Sequence, residues 1–149
     1  MEIKEQLKLK FRGIDIPHVN FTSIKLYSKE SEKIKIVLHP KVFYPKEKTR
    51  FFRIIMDLTI EAENFFSLKV VAIGTFEVDK ELIGDIKKNF INVNAPAIMF
   101  PYLRSFVSTF TANIGNLTGT LNIPPQFFKG ELEEINSDNI DDEDVENAL

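Results

Sequence analysis

Strict two-residue alternation over positions 52–78 is the feature that most constrains the fold of this chain. In the stretch TRFFRIIMDLTI, apolar side chains occupy every second position from Phe52 to Ile60, and polar ones occupy most positions between them. After a short turn at residues 61–64, the alternation continues from Phe66 to Val78. Successive side chains of a strand point to opposite faces of a sheet. The pattern therefore predicts an antiparallel hairpin with one dry face.

Two further alternating runs precede this hairpin. The first covers residues 7–21, and its apolar phase flips at Gly13, which indicates a β-bulge or a bend. The second covers residues 34–38 and resumes after Pro40. The sequence thus predicts four strands before the pattern changes at residue 79.

After residue 79 the apolar period becomes helical. The segment APAIMFPYLRSFVSTF, residues 95–110, places Pro96 in a first turn, and Gly115 supplies a stop. Pro101 is expected to bend this helix. A last helix is predicted to begin near Pro125. The order of elements predicts the α+β class: a four-stranded antiparallel sheet followed by a long, kinked helix and a C-terminal helix.

Charge divides the chain unevenly. All 19 Lys and Arg residues lie at or before Lys129, whereas the stretch from Glu131 to Leu149 has nine acids and no base. We expect a folded unit of residues 1–136 and an acidic, disordered and solvated tail of residues 137–149. The alternative is that the tail shields a basic or apolar surface of the body.

Signals for catalysis, cofactors and nucleic acid are weak. The chain has no cysteine, neither His18 nor His39 has a paired acid motif, and the glycines form no phosphate-binding loop. The lysines alternate along strands without the aromatic motif of an RNA-binding sheet. The N-terminal stretch has no secretory h-region, and no apolar run approaches the roughly 18 residues of a membrane span. We therefore expect a cytoplasmic protein without enzymatic activity, cofactor, metal, nucleic-acid partner or membrane insertion.

Phenylalanine is in surplus, since the chain has 14 Phe and no Trp. A Phe ring has no polar group, so it is buried in a core, in an interface or against an apolar ligand. The long helix is apolar around much of its circumference, which is typical of a helix buried on several sides. We expect identical subunits to sandwich it, with an interface that includes Met99, Tyr102, Leu103, Phe106 and Phe110. The alternative is that the helix packs only against its own sheet and loops.

Residues 94–128, NAPAIMFPYLRSFVSTFTANIGNLTGTLNIPPQFF, resemble the signature region of the SecB family of cytoplasmic protein-export chaperones. Those proteins carry Phe-Pro-Tyr and an arginine in a similar apolar run, and a Leu-Asn-hydrophobic-x-Pro element before the last helix. The matching residues are Pro96, Phe100, Pro101, Tyr102, Arg104, Leu121, Asn122, Ile123 and Pro125. The resemblance covers residues 7–135, and the Phe-Pro-Tyr-x-Arg element is its specific part.

The resemblance implies an ATP-independent holdase that keeps unfolded precursors competent for export. It implies a homotetramer, a dimer of dimers with long helices between two large sheets, in which Leu68, Val70 and Ala72 contribute to assembly. It also implies apolar grooves that bind unfolded polypeptides through Ile36, Phe43, Tyr44, Phe76, Phe127, Phe128 and Leu132. For each of these groove residues, the alternative is plain packing in the core.

One departure from the family pattern concerns the translocation ATPase SecA, the partner that export-coupled members bind through acidic residues on the outer sheet face. The matching positions here are His18, Thr22 and Lys69, and none of them is acidic. The sequence therefore argues against SecA as a partner. Two alternative functions stay open: a SecB-like chaperone dedicated to one partner such as an antitoxin, and a carrier of a small apolar ligand.

Overall fold

The computed structural model describes residues 9–28, 33–45, 50–79, 82–126 and 128–135. The strands are β1 (Leu9–Ser23), β2 (Lys35–Phe43), β3 (Phe51–Ala62), β4 (Phe66–Val78) and β5 (Glu133–Ile135). The helices are α1 (Gly84–Asn89) and α2 (Ala95–Ala112), which are joined by a π-helical segment, Phe90–Asn94. The sheet order is β1-β4-β3-β2-β5, and only the β2–β5 pairing is parallel. The fold is therefore of the α+β class.

The predicted hairpin is confirmed as β3 and β4, and its dry face is the centre of the core. Every second residue of β3 is buried, and Ile54 and Met56 have no exposed surface. The register pairs Met56 with Ala72 and Leu58 with Val70, so the two apolar rows share one face. The hydrophobic effect of burying these rows is the main force that holds helix α2 against the sheet.

Strand β1 contains the predicted bulge. Its pairing with β4 shifts between Phe11 and Gly13, and Gly13 has φ of +121°. A side chain at this position would be strained, which accounts for the glycine. The bulge returns Ile14 to the side of the core, against which it is packed together with Phe11.

Helix α2 confirms the long helix of the sequence prediction. Pro96 lies in its first turn, and Pro101 lies inside it. The face turned toward the sheet carries Met99, Leu103 and Val107, none of which has exposed surface. The bend at Pro101 stays a prediction.

Two parts of the predicted fold are wrong. The sheet has five strands rather than four and is mixed rather than antiparallel, because β5 adds to the edge of β2 in parallel. The described residues between 113 and 135 form no helix, so the C-terminal helix expected from Pro125 is absent there. Pro124 and Pro125 remove two backbone donors, and Gly130 has a left-handed φ of +82°, so the helical spacing of apolar residues is overridden.

Candidate functional site

An apolar cleft of about 510 Å³ opens between the edge of the sheet and the segment that crosses it. We call that segment the strap; it consists of residues 121–126 and 128–135 and includes β5. Strand β2 contributes Ile36, Leu38 and Pro40 to the cleft, and the next strand and α2 contribute Leu58 and Phe100. The strap contributes Ile123, Phe128 and Leu132, with Lys129 and Glu131 among its polar lining residues. The volume lies in the range of ordinary ligand pockets.

Helix α2 holds the beginning of the strap through three polar side chains. Arg104 Nε donates a hydrogen bond to the carbonyl oxygen of Ile123 at 2.7 Å. Ser108 Oγ donates to the carbonyl oxygen of Leu121 at 3.1 Å, and Thr111 Oγ1 accepts from the amide nitrogen of Leu121 at 2.9 Å. Residues three and four apart share one face of a helix, so this spacing makes α2 a fixed support for the strap.

The π-helical segment holds the far end of the strap. Asn92 Nδ2 donates to the carbonyl oxygen of Lys88 at 2.9 Å, while its Oδ1 accepts from the amide nitrogen of Leu132 at 2.8 Å. Between these two anchors, the ring of Phe128 packs edge-on against Phe100 with centroids 5.7 Å apart. The strap is thus held at both ends and packs against α2 between them.

The predicted groove residues occupy several different places. Ile36, Phe128 and Leu132 line the cleft, and Ile36 is 38% exposed. Phe76 has no exposed surface, and its ring stacks on that of Phe52 with the centroids 5.3 Å apart. Phe76 therefore belongs to the core.

The remaining three predicted groove residues lie outside the cleft lining or outside the described chain. Phe43 pairs with Arg53, which places it on the sheet face opposite Ile36. Tyr44 follows β2 and is 38% exposed. Burial raises the pKa of Tyr44, and the negative charge of Glu134 raises it further. Phe127 lies outside the described residues.

The residues expected at a subunit interface divide into two groups. Those covered within the single chain, at no more than 1% exposure, are Leu68, Val70, Ala72, Met99 and Leu103. The others are Tyr102, which is 52% exposed on the outward side of α2, and the half-buried Phe106 and Phe110, which pack against the core. The ring of Tyr102 packs against the ring of Phe11, with their centroids 5.1 Å apart. Strand β1 and helix α2 therefore form one apolar surface together.

The outer face of the sheet, opposite α2, carries His18, Thr22 and Lys69, all exposed. Ion pairs cross the same face: Arg12 contacts Glu77 in β4, and Lys41 Nζ lies 3.3 Å from Asp57 Oδ2. The hydrogen bond from Arg12 lowers the pKa of the Glu77 carboxyl. This face therefore carries both signs of charge.

Sequence reasoning missed several residues of the cleft. Leu38 and Pro40 share the phase of Ile36 along β2, so two-residue periodicity could have found them. Arg104 was noticed only as part of a motif, and its bond to the strap depends on the tertiary structure. The role of Asn92 gave no signal in the sequence, since its partner Leu132 is 40 residues away.

Among the residues that the structure describes, no group of three or more His, Asp or Glu residues could hold a metal ion. Within the same ranges, no helix has the length and apolar character needed to cross a membrane.

Comparison with known proteins identifies a solved structure with a similar fold. No protein-family model matches the chain. Uncharacterized protein MJ0357 of Methanocaldococcus jannaschii is 28% identical over 155 residues, with 98% of each chain covered. The solved structure of the Mycobacterium tuberculosis SecB-like chaperone Rv1957 superposes with a TM-score of 0.64 at 12% identity, over 81% of this chain and 94% of that chain. The chain has a SecB-like fold.

The Rv1957 structure is a complex with a ChAD peptide from the Rv1956 HigA1 antitoxin. A protein of unknown function from Streptococcus agalactiae has a TM-score of 0.45 at 9% identity, over 78% of this chain and 96% of that chain. At 12% identity, the likeness to Rv1957 establishes the SecB-like fold of this chain and nothing about its ligand.

Proposed function

We propose that this protein is an ATP-independent chaperone that holds non-native polypeptides in the cleft beneath the strap. The observation that carries the proposal is an open apolar cleft, with the partly exposed Ile36 in its wall, on a SecB-like fold. A cleft lined by apolar side chains with a few polar groups is the usual form of a ligand-binding site. Unfolded chains expose the apolar side chains that such a cleft would cover.

The expected affinity follows from the buried area. Each 100 Å² or so of apolar surface that a client buries contributes about 2.5 kcal/mol, at about 25 cal/mol per Å². Ordering a flexible client removes much of this gain, so a single cleft binds weakly and with little sequence preference. In a homotetramer, several clefts would engage one client and raise the overall affinity through avidity. Holding of this kind needs no nucleotide.

In the broad form of the proposal, the protein keeps precursors competent for export. The proposal assigns no role to SecA, because the outer-face positions His18, Thr22 and Lys69 are not acidic. The second candidate is a chaperone dedicated to one partner, and the antitoxin peptide in the Rv1957 complex favours it. Identification of copurified proteins separates the two, since a general holdase returns many precursors and a dedicated chaperone returns one. A lipid as the sole copurified molecule would instead favour the apolar-ligand carrier.

The proposal is tested by suppression of aggregation of a chemically denatured protein without ATP. Ile36→Ser places a hydroxyl in the cleft wall and is expected to weaken suppression about tenfold, which corresponds to roughly 1.4 kcal/mol. Val37→Ser is the matched control, because Val37 is the next residue of β2 and faces the opposite side of the sheet. Equal suppression by the two variants, or none by the unaltered protein, would contradict the proposal.

A further inference from the structure

Strand β2 has one paired edge and one edge that is open for most of its length. Strand β3 pairs with all of β2, from Lys35 to Phe43. On the other side, β5 pairs only with Lys41–Phe43. Among the described residues, no strand pairs with Lys35–Pro40 on that side. Unpaired backbone donors and acceptors of an edge strand are a template for another strand.

The open edge borders the cleft. Ile36, Leu38 and Pro40 are alternate residues of this part of β2, and all three line the cleft. Among its described residues, the strap pairs with β2 only through Glu133–Ile135, and upstream of Glu133 the cleft separates the two. A strand added about 4.8 Å from β2 would lie in this gap, with every second side chain directed toward the cleft.

The residues of β2 that face away from the cleft indicate what else an added strand would carry. In the open part of the strand they are Lys35, Val37 and His39, so an acidic side chain opposite Lys35 would complement its charge. The chain's own β5 gives a precedent on the same edge, since Glu133 lies opposite Lys41 in the register. Pro40 fits this location, because proline within a sheet is confined to edge strands and bulges.

We propose that the polypeptide held by this protein binds as an additional β-strand along Lys35–Pro40. The preferred segment has apolar residues at alternate positions, which enter the cleft, and an acidic residue between them that faces Lys35. This inference rests on the proposed function and names its binding mode and substrate class. It differs from apolar capture alone because it requires main-chain hydrogen bonds on one side of the bound segment.

The probe is a fluorescent synthetic peptide with leucine at alternate positions and glutamate between them. Two isomers are prepared, one N-methylated at the leucines and the other at the glutamates. In a strand, successive amide groups point to opposite sides, so only one isomer blocks the bonds to β2. We expect one isomer to bind about tenfold or more weakly than the unmodified peptide and the other to bind with little change.

Each other outcome of the titration has a separate meaning. Unchanged or equally weakened binding of both isomers would overturn strand addition and leave the proposed chaperone function standing. Failure of every peptide to bind, together with no suppression of aggregation, would overturn the chaperone function itself. A separate variant tests the acidic preference. Lys35→Glu is expected to weaken binding of the glutamate peptide, but not of a peptide in which lysine replaces each glutamate.

Hydrogen exchange of the free protein tests the other occupants of this edge. Slow exchange of every amide of residues 35–39 without peptide would show that a second copy or the acidic tail already covers the edge, and would overturn the proposal. We expect protection of the edge-facing amides of residues 35–39 to appear when the unmodified peptide is added.

Discussion

At the scale of single residues, burial assigns different roles to residues of one type. Phe76 and Phe52 form a stacked pair in the core, whereas Phe128 packs edge-on against Phe100 at the cleft. Phe106 stacks on Phe110 at the half-buried side of α2. The surplus of phenylalanine in the sequence is therefore divided among the core, the cleft and a half-buried side of α2.

Gly74 lies at a point where β4 approaches α2 closely. A Cβ atom at this position would lie 2.9 Å from Met99 Sδ and 3.4 Å from Met99 Cβ. Met99 has no exposed surface, so its side chain has little room to move away. We expect Gly74→Ala to lower the free energy of unfolding by about 1–3 kcal/mol, measured by denaturant titration.

A second substitution identifies the cause of this loss. Shortening Met99 to Val in the Gly74→Ala background removes the sulfur atom from the clash. A double-mutant cycle is therefore expected to show that the two substitutions together cost less than the sum of their separate costs. Simple additivity would contradict the close contact.

At the scale of elements, the strap and α2 act as one unit. Arg104 is the charged residue of the Phe-Pro-Tyr-x-Arg element, and its Nε donates to Ile123. We expect Arg104→Met to lower the free energy of unfolding by about 1–3 kcal/mol, because the carbonyl oxygen of Ile123 loses a charged donor. Hydrogen exchange within residues 121–123 is expected to accelerate more than exchange within β3. Equal acceleration in both places would indicate a general loss of stability rather than release of the strap.

Tyr44 reports on the docking of β5 through its pKa. Burial and the charge of Glu134 raise this pKa, so folding favours the protonated phenol. The contribution to stability is complete below the unfolded pKa of about 10 and is lost as the pH rises through the higher folded pKa. We expect Glu134→Gln to lower the pKa of Tyr44, followed by carbon NMR of the tyrosine ring. Glu133→Gln is the matched control on the same strand, and an equal effect of both substitutions would rule out the specific pairing.

At the scale of the whole molecule, the outward side of α2 is the surface on which assembly is expected. Ile98 is 38% exposed and Tyr102 is 52% exposed, four residues apart on one stripe. A surface of this kind, continued by Phe11 of β1, fits a second copy of the chain. Leu68 was expected to contribute to assembly, but it is fully buried within one chain. An aspartate at that position would unfold the subunit, so it cannot report on assembly.

Ile98→Asp is the better test of the predicted homotetramer. We expect this substitution to reduce the mass measured by light scattering to that of a smaller species, while circular dichroism shows a folded chain. An aspartate at Asn116, an exposed turn residue, is the control and is expected to leave the mass unchanged. A single-subunit mass for the unaltered protein would remove the assembly and its avidity from the proposed function.

The sequence predicted the strands because their signal is local. Two-residue alternation identified β3 and β4, and a phase flip identified the bulge at Gly13. Local periodicity failed at the strap, where Phe128 and Leu132 have helical spacing although the chain there forms no helix and bends at Gly130. Two prolines, Gly130 and hydrogen bonds from distant side chains overrode that spacing. A local period carries no information about a bond between residues 40 positions apart.

By itself, the sequence determined the α+β class, the dry face of the sheet and the long helix, because period and turn chemistry act between near neighbours. Only the tertiary structure decided which apolar residues stay uncovered. Phe76 and Ile36 were predicted for the same groove, yet one lies in the core and the other in the cleft wall. Exposure depends on which element packs over a residue. The ring of Phe76 packs against Phe11 and Phe52, whereas Ile36 faces the strap across the cleft, and the path of the strap is set by contacts with Asn92 and Arg104.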